Sequence, residues 1–195
     1  MDAIELLMEE HRTIERALDA LEAFADEVCR RGVTEREELG RFVAFLRDFA
    51  DEAHHGKEEA ILFAAMVEHG FPSQGGPLAV MLHEHDLGRT LVRSLRARAE
   101  QATPWTDADR QAIAEDAHGF AALLHAHIHK EDAILYPMAE QHLPAEVLAA
   151  VGEACARREA ERAAPQARLQ ALAEELVARY APVAHPRPQR FGCGA

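Results

Sequence analysis

The segment His127-Ile-His-Lys-Glu-Asp-Ala-Ile-Leu-Tyr has a close counterpart in His54-His-Gly-Lys-Glu-Glu-Ala-Ile-Leu-Phe, which starts 73 residues earlier. Each copy carries a His followed four residues later by a Glu. On a helix that spacing stacks imidazole and carboxylate one turn apart on the same face, where both reach one ion or two adjacent ions. A second pair recurs at nearly the same interval: Glu10-His11, with Arg16 beyond, against Glu84-His85, with Arg89 beyond. The chain therefore reads as two related halves. Each half supplies one helix with an inward His and one with a His-x-x-x-Glu pair, and the candidate metal ligands are His11, His54, Glu58, His85, His127 and Glu131.

Helical geometry, at about 100° per residue, separates inward from outward groups. Phe120, Leu124, Glu131, Ile134 and Met138 fall within about 60° of His127, whereas His125 and His129 fall about 160° away. Val43, Ala50, Glu58, Ile61 and Ala65 share the face of His54, with His55 and Glu59 rotated by about 100° and 140°. His85 lies with Leu78, Met81 and Val92, and His11 sits in an apolar stripe. His55, His83, His125 and His129 are expected in solvent, His55 being nearest the edge of the site. Lys57 and Lys130 are read as solvent-facing. Arg89 either snorkels outward or bonds a carboxylate beside the site.

A lone inward His usually finds a protein hydrogen-bond partner and needs no metal. Two carboxylates and four imidazoles at one level are another matter, because each unpaired buried charge costs several kcal/mol. The only inward cations nearby in the pattern are Arg47 and Arg89. A metal supplies the missing positive charge. Imidazoles and carboxylates without thiolate suit iron, manganese or zinc. Six ligands would crowd a single ion, so the count fits two ions bridged by Glu58 and Glu131, with positions left for water, hydroxide or a diatomic molecule. Zinc takes fewer ligands per ion, which favours iron.

Four long amphipathic segments must position these residues. The first starts at a capping pair, Asp2 and Glu5, and runs to about Arg30, where Gly32 stops it. The second starts at a Thr34–Glu37 capping box and runs to about Glu68, before Gly70, Pro72, Gly75 and Gly76. The third runs from Pro77 to near Gln101, and the fourth from a Thr106 cap to about His142, with a kink expected at Pro137. Short connections and the absence of any strand pattern predict an all-α fold, an antiparallel up-down-up-down four-helix bundle with additional C-terminal helices broken at Pro165. Residues 1–143 are expected to form the bundle with the two-metal site. Residues 144–195 are expected to form a helical extension and flexible tail.

At 195 residues and 48% hydrophobic content the chain can bury a core. Its net charge of −13, from 21 basic and 34 acidic residues, argues against nucleic-acid and membrane-surface partners. No secretory signal or membrane span is expected. Three widely spaced cysteines, Cys29, Cys155 and Cys193, indicate neither a disulfide framework nor a thiolate zinc site, so a reducing cytoplasm is the simplest home.

These motifs, Glu9-Glu10-His11-Arg12, His54-His55-Gly-Lys-Glu58-Glu59, Glu84-His85-Asp86 and His127-Ile-His-Lys-Glu131, resemble in order the hemerythrin-like HHE cation-binding domain, over about residues 2 to 142. The resemblance implies a non-haem di-iron centre, bridged by carboxylate and oxo or hydroxo groups, with the six residues above as ligands. Zinc or manganese are the alternative metals. The chain departs from oxygen-carrying hemerythrins at Met81, where they place a second third-helix His, and it has no His between His11 and His54. One metal is then left to be completed by water, His55 or Glu15. Asp132 matches the spacing of a hemerythrin ligand but faces about 140° away from His127, so Glu131 is preferred.

The expected function is binding or sensing of O2, NO or peroxide, in a protein read as a binding protein rather than a catalyst and able to form a homodimer. The alternatives are a redox enzyme or iron-donating repair protein using the same centre, and a structural metal site in a regulatory protein. A ferritin-like oxidase fits less well, because its Glu-x-x-His spacing occurs here only at Glu115–His118, unpaired with another.

Overall fold

The computed structural model describes residues 2–31 and 35–180, and these are helical, with no strand among them. The Gly32 stop, the Thr34 half of its capping box, and the tail with Cys193 lie outside the described residues. Helix α1 (Ala3–Arg31) is followed by a long run over residues 36–68. That run comprises α2 (Arg36–Phe45), π-helical stretches at Leu46–His55 and Glu58–Leu62, and α3 (Phe63–Glu68). Helix α4 (Gly76–Ala99) comes next, then α5 (Asp107–Lys130), which continues through a π-helical turn at Glu131–Leu135 into α6 (Tyr136–His142). Two further helices, α7 (Ala145–Glu161) and α8 (Ala163–Tyr180), close the described chain.

The starts and stops follow from local chemistry. Asp2 accepts from the Ile4 amide and Glu5 reaches back to the Asp2 amide, which satisfies the first free donors of α1. Thr106 and Asp109 form a reciprocal capping box on α5. The turn before α4 uses Gly70, Gly75 and Gly76 at φ of 98°, 79° and 71°, a region that side chains make costly. Pro137 sits in the first turn of α6 directly after the π turn, so the expected kink takes the form of a change of helix type. The break expected at Pro165 falls at Arg162, just ahead of it.

The apolar residues form two clusters. One gathers Ile14 to Val28 of α1, Leu39 to Ala50, Ile113 to Ile128 and, from α8, Ala173, Leu176 and Tyr180. The other gathers Ile4 and Leu7, Leu62 to Met66, Leu78 and Met81, Leu135 to Leu143 and, from α7, Val151 and Cys155. On α1, on the 36–68 run, on α4 and on the α5–α6 run alike, the His and Glu candidates lie in sequence between residues of the first cluster and residues of the second. Apolar packing above and below thus fixes the level at which the four helices present polar groups.

The π turns shift the inward face. A π turn holds more residues than an α turn, so every later side chain rotates relative to α-helical phase. Ile61 and Ile134, expected inside, are half-buried and 53% exposed, while their neighbours Leu62 and Leu135 are buried instead. Arg47, expected inward, is exposed and pairs with Asp48.

Phe24 is fully buried, its ring 5.3 Å from both Phe42 and Tyr180. Phe24→Ala is expected to cost about 3–5 kcal/mol in urea unfolding, because it opens a cavity where α1, α2 and α8 meet.

Candidate metal centre

All six expected residues meet at one level and are buried: His11, His54, Glu58, His85, His127 and Glu131 are at most 1% exposed. The π-helical stretch Leu46–His55 brings in a seventh. His55, expected in solvent, is buried at 5% exposure with its ring stacked 3.8 Å from that of His85. Of water, His55 and Glu15, the groups expected to complete one side, His55 is the side chain that reaches it, because the π turn carries both neighbours of the His54-His55 pair onto the inner face. Glu15 stays outside, paired with Arg12 at 2.9 Å. His83 and His129 are exposed as expected, and His118 makes surface contacts with Glu22 and Asp26.

The donor atoms form two groups able to hold an ion, His11, His54, Glu58 and Glu131 on one side and His55, Glu58, His85 and His127 on the other. Each glutamate faces both sides. Glu58 places Oε1 3.7 Å from His54 Nε2 and Oε2 3.5 Å from His85 Nε2. Glu131 places Oε2 3.3 Å from His11 Nε2 and Oε1 3.2 Å from His127 Nε2. None of these four contacts satisfies every atom: His54 Nε2, Glu58 Oε2 and both oxygens of Glu131 are buried without a hydrogen-bond partner. Leaving such atoms unpaired costs about 1–3 kcal/mol each, more where charged, and a cation would satisfy them together.

Outside the imidazoles lies a ring of carboxylates, each on an Nδ1. Glu10 takes His54 at 2.9 Å, Asp132 takes His11 at 2.7 Å, Glu59 takes His85 at 2.7 Å, Glu84 takes His127 at 2.8 Å, and Asp51 takes His55 at 3.4 Å. An ionised carboxylate only accepts, so each ring keeps its proton on Nδ1 and turns a lone pair inward on Nε2. His85 and His127 then point their Nε2 atoms at one another across 3.0 Å, a repulsive contact unless a cation or an added proton intervenes. A third ring of cations holds the carboxylates. Arg12 bonds Asp132, Lys57 bonds Glu10, Lys130 bonds Glu84, and Arg89 reaches Asp51 and Glu59 at 2.7 Å.

The profile of the hemerythrin HHE cation binding domain matches residues 2–139. The chain belongs to this family. It is also similar to the iron-sulfur cluster repair protein YtfE of Musicola paradisiaca (strain Ech703), with 36% identity over 89 residues, covering 44% of this chain and 40% of the relative. The chain thus spans less than half the length of that curated relative. No solved structure gives a significant match.

Within this hemerythrin HHE domain the structure changes the reading of Lys57 and settles those of Arg89 and Asp132. Lys57 is fully buried rather than solvent-facing, because Glu159 of α7 covers it and shares it with Glu10. Lys130 is its counterpart in the second half and stays 34% exposed, with Glu84 as partner. Arg89 bonds carboxylates beside the site, and Asp132, although not inward, orients His11. Tyr136 was not among the expected site residues. It is fully buried and donates to Glu58 Oε1 at 2.6 Å.

Burial, then the proximity of Glu131, pushes the Glu58 carboxyl well above the usual carboxylate range. Burial also opposes ionisation of Glu131, but the approach of the His11 and His127 imidazoles at 3.3 and 3.2 Å holds it well below that range. Burial pushes His54 and His55 down. His11 and His127 are burdened by burial too, yet Asp132 and Glu131 for one, and Glu131 and Glu84 for the other, raise them.

Removing Lys57 leaves Glu10 and Glu159 facing each other. Lys57→Met is expected to destabilise the protein by about 3–5 kcal/mol in urea unfolding, against about 1 kcal/mol or less for the more exposed Lys130→Met. The His85 hydrogen bond, then Arg89, draws Glu59 from an ordinary 4.5 to about 2. Asp51, opposed by burial but bonded by His55 and Arg89, drops from 3.8 to about 2. Because both folded values are depressed, this stabilisation is complete above the unfolded values and is lost as the pH falls towards 2. Arg89→Met is expected to move acid unfolding, followed by circular dichroism, part of the way up that window.

Proposed function

We propose that this chain is a non-haem di-iron protein that binds or senses a small molecule such as O2, NO or peroxide. The observation that supports this best is the division of Glu58 and Glu131, each with one oxygen facing either of two buried imidazole groups. His11 and His54 would hold one ion, His55, His85 and His127 the other, with both glutamates shared. Bound there, two irons supply a redox-active pair with room for a diatomic ligand; zinc or manganese are the alternatives. The protein's own part is to fix imidazole orientation through the outer carboxylates, balance charge with the glutamates, and keep water away with two apolar clusters.

A cavity beside the centre supports the same reading. About 170 Å³ in volume, it opens beside His55 and His85, walled by Val43, Leu46, Ala50, Val92, Phe120 and Leu124. Its inner wall is apolar, while Arg47, Asp51, Glu84, Arg89, Arg93 and Arg96 also line it, so the cavity has space for a small molecule beside the centre without selecting a neutral one. The up-down-up-down antiparallel order of the bundle, its assignment to residues 1–143 and the role of 144–195 as an extension belong to this proposal. So does a cytoplasmic site of action. Among the described residues no helix is long and apolar enough to cross a membrane.

The similarity to YtfE, an iron-sulfur cluster repair protein, favours a second reading in which the same irons are donated or redox-active. The two readings separate on one preparation. Metal analysis of the full chain, expressed with iron, is expected to give two irons. The visible spectrum, recorded anaerobically after reduction and again in air, is expected to gain a band that reverses on deoxygenation. Irreversible oxidation or iron loss to an apo-cluster acceptor supports the second reading, and zinc or no stoichiometric metal overturns both. Glu58→Ala is expected to abolish the iron spectrum while the helical circular dichroism persists.

A further inference from the structure

The two halves of the repeat are not equal donors. At the 73-residue offset His55 corresponds to Ile128, which is buried in apolar surroundings, and Phe63 corresponds to Tyr136. Each half has thus exchanged one apolar side chain for a donor, on opposite sides of the centre. The group of His85 and His127 gains the imidazole of His55, and the Phe63 ring only stacks 6.1 Å from His85. The group of His11 and His54 gains no third imidazole. In its place stands the phenol of Tyr136, stacked 5.5 Å from His11, with Oη 2.6 Å from Glu58 Oε1 and 3.4 Å from His11 Nε2. Both of those atoms are donors of that same group. The hydroxyl is fully enclosed, and its one close acceptor is a carboxylate that a metal would claim.

We propose that Tyr136 is a metal ligand, its Oη completing the side of the centre formed by His11, His54, Glu58 and Glu131. The proposal rests on the two-metal reading above. On loading, the phenol O–H bond breaks, an oxygen–metal bond forms, and the proton leaves to solvent. His11, His54 and Tyr136 would then serve one side and His55, His85 and His127 the other, with Glu58 and Glu131 placed between them. The two sides differ in kind: three neutral imidazoles on one, two imidazoles and an anionic oxygen on the other. A hard anionic oxygen would favour a higher charge on the ion held there, so the two sides would not be equivalent.

The test uses the full chain loaded with iron and oxidised, read by its visible spectrum and by resonance Raman scattering with and without ring-deuterated tyrosine. The sequence contains two tyrosines, and Tyr180 lies in the other apolar cluster with its hydroxyl near Glu35. Tyrosinate ring modes that shift with deuteration are expected in the wild type and in Tyr180→Phe, where Tyr136 is the remaining tyrosine. They are expected to vanish in Tyr136→Phe, a change for which the first half already has a Phe in the corresponding place. Should Tyr136→Phe fail to retain iron or fold, the isotope shift in Tyr180→Phe decides. Two irons with no tyrosinate modes, or modes that survive in Tyr136→Phe, overturn the ligand assignment and leave the di-iron reading intact. Absence of bound iron in the wild type overturns both.

Discussion

Two carboxylates, Glu58 and Glu131, are buried at the same level of a helical bundle, and among the described residues no Lys or Arg bonds either of them. Everything around them answers that charge. The imidazoles of His11, His54, His85 and His127 approach within 3.2–3.7 Å but do not satisfy the oxygens as hydrogen-bond donors, because their protons are engaged on the other side by a second set of carboxylates. Lone pairs therefore converge on lone pairs. An arrangement that costs folding free energy without a cation and is satisfied with one is the physical content of the family assignment.

The outer rings explain why so many charged residues crowd these helices. Each inward His is held by a carboxylate, and most of those carboxylates are held in turn by Arg12, Lys57, Arg89 or Lys130. The Lys and the residue after Glu in the two repeated motifs serve the same purposes in both halves. Lys57 and Lys130 bond Glu10 and Glu84, which carry the His of their own motif. Glu59 and Asp132 carry the His of the neighbouring helix. The acidic repeat is thus a scaffold for imidazole orientation. Its symmetry is broken at three places, His55, Tyr136 and the covering of Lys57 by Glu159, and these are where the two sides of the centre acquire different chemistry.

Helix α7 supplies Glu159, while α7 and α8 also extend the two apolar clusters through Val151, Cys155, Leu176 and Tyr180. Helix α7 therefore bears on the centre through Lys57, Glu10 and His54, whereas Lys130, the counterpart of Lys57, stays 34% exposed beside the buried His127. Burial also pushes the Cys155 thiol up to about 11, which makes it packing material rather than a reactive group.

Much of this was legible in the chain itself. The capping residues, the apolar stripes and the repeated His-x-x-x-Glu motif fixed the helices, the inward position of six residues and the metal reading, because helix phase over a few turns is a local property. What failed was phase over longer distances. α-Helical geometry puts Ile61 and Ile134 inside and His55 no closer than the edge of the site, and the π turns at Leu46–His55, Glu58–Leu62 and Glu131–Leu135 rotate them. The partners of Lys57, Asp132 and Tyr136 are 47 to 125 residues away or on another helix, so only packing could name them. Local sequence determined which residues form the centre, and tertiary structure decided which ones complete and orient it, because helix type and long-range ion pairing depend on neighbours that no local window contains.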